Sequence, residues 1–251
     1  MMLDGKNAVI YGGGGTIGGA VARAFARERA TVHLAGRTLS KVEQVAAEIR
    51  EHGGSATAAQ VDALDGRAVD AHADELVRDH GSLDISMNLI STGDVQGTPL
   101  VEMEVADFEQ PIHNAIRSTY VTARAAGRHM IRQGSGVILM FGGEGDPIRD
   151  YSIGGFQISL TAVEALRKQL ASELGRHGIR VVSLLICGVI DAIPADFEGR
   201  DALVESLVAP TLLGRGATLE DVGDVAAFVA SDKARTITAT AINITCGAII
   251  T

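Results

Sequence analysis

The residues from Tyr11 to Ala20 read YGGGGTIGGA, directly after the apolar run AVI. Glycine at this density lets a backbone approach a phosphate that a Cβ would hold away, and a helix starting here would turn its free N–H groups toward that anion. Gly13, Gly15 and Gly18 satisfy GxGxxG, a spacing that cradles a dinucleotide pyrophosphate when it lies between a strand and a helix. A glycine turn without a ligand is the competing reading. Farther on, the stretch HLAGRT supplies Arg37 and no acid, at the point where an acid would hydrogen-bond a ribose and an Arg would accept a 2′-phosphate. That favours NADP(H) over NAD(H), against the plainer reading of an exposed arginine.

These residues need a scaffold, and the hydrophobic pattern supplies one. Short runs (NAVIY, ATVHLAG, ATAAQVD, LDISMNLIS, GVILMFG, IRVVSLLICG, TAINIT) alternate with helical patterns over 17–29, 39–52, 67–80, 108–133, 154–174 and 219–231. Repeated strand, helix, strand units predict an α/β fold: a single-domain, Rossmann-type, doubly wound parallel sheet of about seven strands with helices on both faces. No Pro/Ser-rich linker divides residues 1–251, so one domain is expected. Pro111 lies about one turn past Asp107, a plausible N-cap. Residues 189–218, with Pro194, Pro210 and several glycines, form the one long irregular stretch, expected as a lid or substrate loop, a variable surface excursion being the alternative.

A net charge of −9 with no Lys/Arg-rich run argues against nucleic acid, because phosphate neutralisation needs clustered positive charge. The longest apolar stretch, VVSLLICGVI, is too short to cross a bilayer, and the N-terminus has no basic and apolar leader pattern. The expectation is a cytoplasmic protein with no membrane partner. Cys187 and Cys246 show no metal-ligand or CxxC spacing, so no metal is expected and both read as buried thiols.

Taken together, the chain resembles the short-chain dehydrogenase/reductase family over essentially its whole length. The resemblance rests on IYGGGGTIG, QVDALD, LDISMNLIS, LASELGRHGIRVVSLLICGVI and EDVGDVAAFVASDKARTITATAINITCG. It implies a nicotinamide dinucleotide held by Gly12, Gly15, Thr16, Ile17, Gly18, Arg37, Asp62 (toward the adenine) and Asn88. Thr16 replaces one family glycine, while Gly12, Gly15 and Gly18 keep a spacing other members use.

The resemblance also implies a mechanism in which a Tyr transfers a proton, a Lys four residues later lowers its pKa, a Ser polarises the substrate oxygen and an Asn anchors a water. With LASEL fixing the register, those positions hold Phe156, Leu160, Gly143 and Ala115. The tyrosines Tyr11, Tyr120 and Tyr151 are followed four residues on by Gly15, Arg124 and Gly155, so no Tyr-x-x-x-Lys exists. The longer spacing of the enoyl-reductase branch fails as well, because the lysine position is still Leu160. Asn114 adjoins the vacant Asn position, and a one-residue step of about 100° predicts that it points elsewhere. The carboxamide-holding Thr is Ala192, so the nicotinamide half is expected to be poorly anchored.

Three readings follow. One is an oxidoreductase with a relocated acid, for which Tyr151, Glu144, Asp146, Arg149, His113, Ser91 and Asp94 are the candidates. The second is a non-redox enzyme acting on a hydrophobic small molecule. The third is a non-catalytic nucleotide-binding pseudoenzyme or assembly partner. By analogy with the family, a homodimer or homotetramer is expected.

Overall fold

The structure is a computed structural model that describes residues 1–142 and 152–250. Seven strands, β1 (Asn7–Tyr11), β2 (Thr31–Gly36), β3 (Ser55–Gln60), β4 (Ile85–Asn88), β5 (Gly136–Gly142), β6 (Ile179–Leu185) and β7 (Thr240–Asn243), form one sheet in the order β3-β2-β1-β4-β5-β6-β7. Every neighbouring pair is parallel. The central strands are near-continuous apolar runs because both faces are covered. Along β1, Ala8 and Ile10 enter the core shared with α1 (Thr16–Arg27), α2 (Leu39–Glu51) and α7 (Leu219–Ala230). Val9 and Tyr11 enter the opposite core, with α3 (Gly66–His80), α4 (Val105–Gln133) and α5 (Phe156–Leu174).

After β1 the chain builds outward through β2 and β3, then returns to place β4 on the other side of β1. That reversal opens a crevice beyond the C-terminal ends of β1 and β4, the usual ligand position in doubly wound sheets.

Helix starts differ in a way that matters for the site. Asp65 accepts from the N–H groups of Arg67 and Ala68 at the start of α3, and Thr218 forms a capping box with Asp221 on α7. By contrast, Gly15 before α1 and Thr38 before α2 make no side-chain cap bond, leaving the first-turn N–H groups without that partner.

Three expectations are corrected. The helix around Pro111 starts at Val105 after an N-cap at Glu104, so Asp107 sits inside the first turn and Pro111 in the second. The irregular stretch 189–218 contains α6 (Arg200–Val208), a helix with no buried residue and therefore no core-facing periodicity to read. Cys187 is exposed and Cys246 half-buried, because both lie just past strand ends rather than within the sheet. Among the described residues, no helix is long and apolar enough to cross a membrane.

Candidate active-site cleft

A cleft of about 590 Å³ runs along the switch point. Its first end is built by the glycine turn. Gly12 has φ +81°, and an added Cβ would stand 2.4 Å from the Leu89 carbonyl oxygen. A Cβ at Gly18 would stand 2.3 Å from the Gly12 oxygen. These two glycines are fixed by the close packing of β1, β4 and α1. Gly13 faces Leu34 of β2 and does not line the cleft, so the spacing through Gly12, Gly15 and Gly18 is the one the fold uses.

Gly15 is different. A Cβ there would meet only the Gly12 oxygen, at 3.3 Å, and its φ of −86° suits any residue. Packing here would have to yield by only a few tenths of an ångström to admit a side chain, so Gly15 is far less constrained than Gly12 or Gly18. Thr16, Ile17 and Gly18 line the cleft beside it.

Arg37 lines the cleft at the end of β2, as the sequence predicts, together with Thr38 and Lys41, which it did not single out. The missed signal was a basic residue on the first turn of α2, three positions past its N-cap. Asp62 also lines the cleft, with Oδ1 accepting from the Leu64 N–H at 3.0 Å. Asn88 is present, but its amide donates into α4, to Ser118 Oγ at 2.9 Å and Thr119 Oγ1 at 3.3 Å. Its side chain thus ties β4 to α4.

The second end is apolar where the resemblance requires polar groups. Ala115, Phe156, Leu160, Val163 and Ala192 all line it. Gly143 and the loop candidates Glu144, Asp146, Arg149 and Tyr151 lie outside the described residues. Of the other tyrosines, Tyr11 is buried at the first end, where burial and then the Asp70 charge push its phenol far above the usual range. Such a phenol is a poor acid near neutral pH. Tyr120 is exposed on α4, with Arg124 over its ring.

The remaining polar candidates sort cleanly. Ser91 and Asp94 line the cleft, while His113 is exposed on α4 and does not. Asn114 contradicts the rotation argument: it lines the cleft, and its Nδ2 donates to the Thr92 carbonyl at 2.9 Å. The loop after β4 folds back over that turn of α4, so two neighbouring helix positions face it. Gly154 and Gly155 let α5 start against this loop and the first turn of α4, since Cβ atoms there would lie 2.7 Å from the Val95 oxygen and 2.2 Å from the Phe108 oxygen. Among the described residues no cluster of His, Cys, Asp and Glu has the geometry to hold a metal.

Comparison with known proteins agrees with this architecture. Residues 14–248 match a family model described as enoyl-(acyl carrier protein) reductase. The sorbitol dehydrogenase of Cereibacter sphaeroides is 31% identical over 97% of this chain and 97% of its own length. The galactitol 2-dehydrogenase of Rhizobium johnstonii is 29% identical, covering 98% and 95%. Among solved structures, a dehydrogenase/reductase from Sinorhizobium meliloti superposes with a TM-score of 0.85 at 30% identity, covering 98% of this chain and 96% of that one. A 7α-hydroxysteroid dehydrogenase complexed with NADH and 7-oxo glycochenodeoxycholic acid gives 0.87 at 25%, covering 98% and 95%. A family model matched along nearly the whole chain, on a sheet of this order with this glycine turn, leaves one assignment: the chain belongs to the short-chain dehydrogenase/reductase family.

Proposed function

We propose that this protein binds NADP(H) in the cleft and does not reduce carbonyls by the Tyr/Lys route of its family. The observation that carries the reading is the contrast between the two ends of one cleft. The first end offers an uncapped helix N-terminus beside a glycine whose Cβ would meet a single backbone oxygen, at 3.3 Å. At the second, the positions expected to hold a phenol and an ammonium place Phe156 and Leu160 on the wall.

At the first end the N–H groups of α1 would hold the pyrophosphate, and Asp62 the adenine. Arg37, with Thr38 and Lys41 at the uncapped start of α2, would hold a 2′-phosphate. Bound there, the nicotinamide supplies hydride chemistry. Among the described residues at that end, positions 156 and 160 offer no proton donor, so an alkoxide formed by carbonyl reduction would lack the phenol and ammonium partners of the family's route. The α4 and α5 surfaces expose Tyr120, Ile131 and Ile158, which supports a homodimer or homotetramer paired through these helices. Residues 189–218, including α6, serve in this reading as a lid.

The test is calorimetric titration with NADPH and NADH, followed by NADPH consumption over a carbonyl and enone panel. NADPH should bind more tightly than NADH, and Arg37→Ala should weaken NADPH by roughly 10- to 100-fold, the worth of a charge-assisted contact, while leaving NADH within about twofold. Equal loss for both dinucleotides, or turnover of simple ketones, overturns the reading.

A further inference from the structure

The second end of the cleft has two unlike walls. One carries Phe141, Phe156, Leu160 and Val163. The other is the loop after β4, and among the described residues beyond Asn88 that line the cleft, Asp94 is the single charged side chain. Its carboxylate accepts from Thr92 Oγ1 at 3.3 Å and from Gln96 Nε2, both neutral donors, so its negative charge is not cancelled by them.

This loop is held in place. Asn114 anchors the Thr92 carbonyl, the Gly97 N–H donates to the Ser152 carbonyl at 2.6 Å, and the Val95 carbonyl is pressed on Gly154. The carboxylate is therefore fixed relative to the start of α5, which carries Phe156.

A neutral apolar ligand would match the aromatic wall and desolvate Asp94 with no charged partner among the described cleft residues beyond Asn88. An anion would be repelled by it. A ligand with an apolar body and a positive charge satisfies both walls, since an aromatic face attracts a cation and the carboxylate pairs with it.

We propose that this corner binds an apolar organic cation of the iminium or substituted-ammonium class, its body on Phe156 and its charge toward Asp94. The proposal rests on the reading above, in which a dinucleotide fills the rest of the cleft. The class also suits a site without the Tyr and Lys: an iminium taking a hydride from a reduced nicotinamide dinucleotide forms a C–H bond while the C=N pair becomes a nitrogen lone pair, and no proton is drawn from the protein.

The experiment is calorimetry on the full chain with saturating NADP⁺, using 2-methyl-3,4-dihydroisoquinolinium and its uncharged carbon isostere 3-methyl-1,2-dihydronaphthalene. The cation should bind at least tenfold more tightly. Asp94→Asn should bring the two ligands within twofold while keeping the urea unfolding midpoint of the wild type, which reports that the variant is folded. Equal or tighter binding of the neutral isostere, or discrimination that survives Asp94→Asn, overturns the proposal. The preceding NADP⁺ titration reads the dinucleotide site separately: no NADP⁺ binding alongside Asp94-dependent discrimination would sink that reading and leave the cation site standing.

Discussion

Gly12 and Leu89 approach so closely that a Cβ on the glycine would stand 2.4 Å from the leucine carbonyl oxygen, whereas three residues later Gly15 meets nothing closer than 3.3 Å. The two glycines should therefore fail differently. Gly12→Ala forces a side chain into a φ of +81° and a backbone clash, and should destabilise the fold by roughly 2–4 kcal/mol. Gly15→Ala should change stability by less than about 0.5 kcal/mol yet weaken NADPH at least tenfold. Urea unfolding and NADPH titration on both variants decide it. Wild-type affinity in Gly15→Ala would restore the reading of a turn without a ligand.

His33 on β2 gives the fold an acid sensitivity. It is 3% exposed, with Nδ1 2.8 Å from Thr57 Oγ1, its ring 4.4 Å from that of His80, and no partner for Nε2 among the described residues. Burial first, then the neighbouring His80 and His72, lower its pKa to about 4. The folded state thus favours the neutral ring. Its contribution is complete above the unfolded value near 6.5 and is lost as pH falls from there toward 4. The full loss is about 3 kcal/mol. Unfolding free energies measured from pH 7.5 to 4 should show this slope, and His33→Val should reduce it by about one proton. An unchanged slope would assign the acid sensitivity elsewhere.

The alternating architecture was legible because helices and strands change the hydrophobic period from 3.6 to 2, while the glycine turn, Arg37 and the apolar positions were read from places in linear motifs, and the structure puts them on the cleft. Phe156 and Leu160 line the cleft. The second wall was not legible. Ser91 and Asp94 stand among the sequence candidates, but Thr92, Gln110 and Asn114 meet Asp94 only through tertiary folding of the loop after β4, and no spacing in the chain announces that meeting. Cys187 misled because thiols are buried on average, and its place past the end of β6 overrides that tendency.

On the inner face of α5, Arg167 Nε donates to Glu164 Oε2 at 2.8 Å, with side-chain exposures of 5% and 2%. Gly142 leaves the space for it, since a Cβ there would lie 2.5 Å from Glu164 Oε1. Removing one partner strands a buried charge, so Arg167→Met should cost roughly 3–5 kcal/mol. Replacing both, with Glu164→Leu added, should recover most of that loss. Urea unfolding of the two single variants and the double variant gives the coupling. Additive losses would mean that the pair is not a unit.

Leu160 is 7% exposed and stands one turn beyond Phe156 on the same cleft wall, so Leu160→Lys tests how apolar this corner is. An ammonium placed there is desolvated, which lowers its folded-state pKa below the ordinary 10.4. The sign follows: the deficit against wild type is small above that unfolded value, grows as pH falls toward the folded pKa, and is constant below it. At pH 7 it should reach roughly 2–5 kcal/mol. Phe156→Tyr added to Leu160→Lys should lessen it by giving the ammonium an oxygen partner. Saturating NADPH should stabilise Leu160→Lys more than wild type, because the resemblance puts ribose hydroxyls within reach of the new Nζ. Urea curves from pH 7 to 10, with and without NADPH, separate these effects. A deficit that does not vary with pH would show that water already reaches position 160, and equal NADPH stabilisation of both proteins would place the ribose elsewhere.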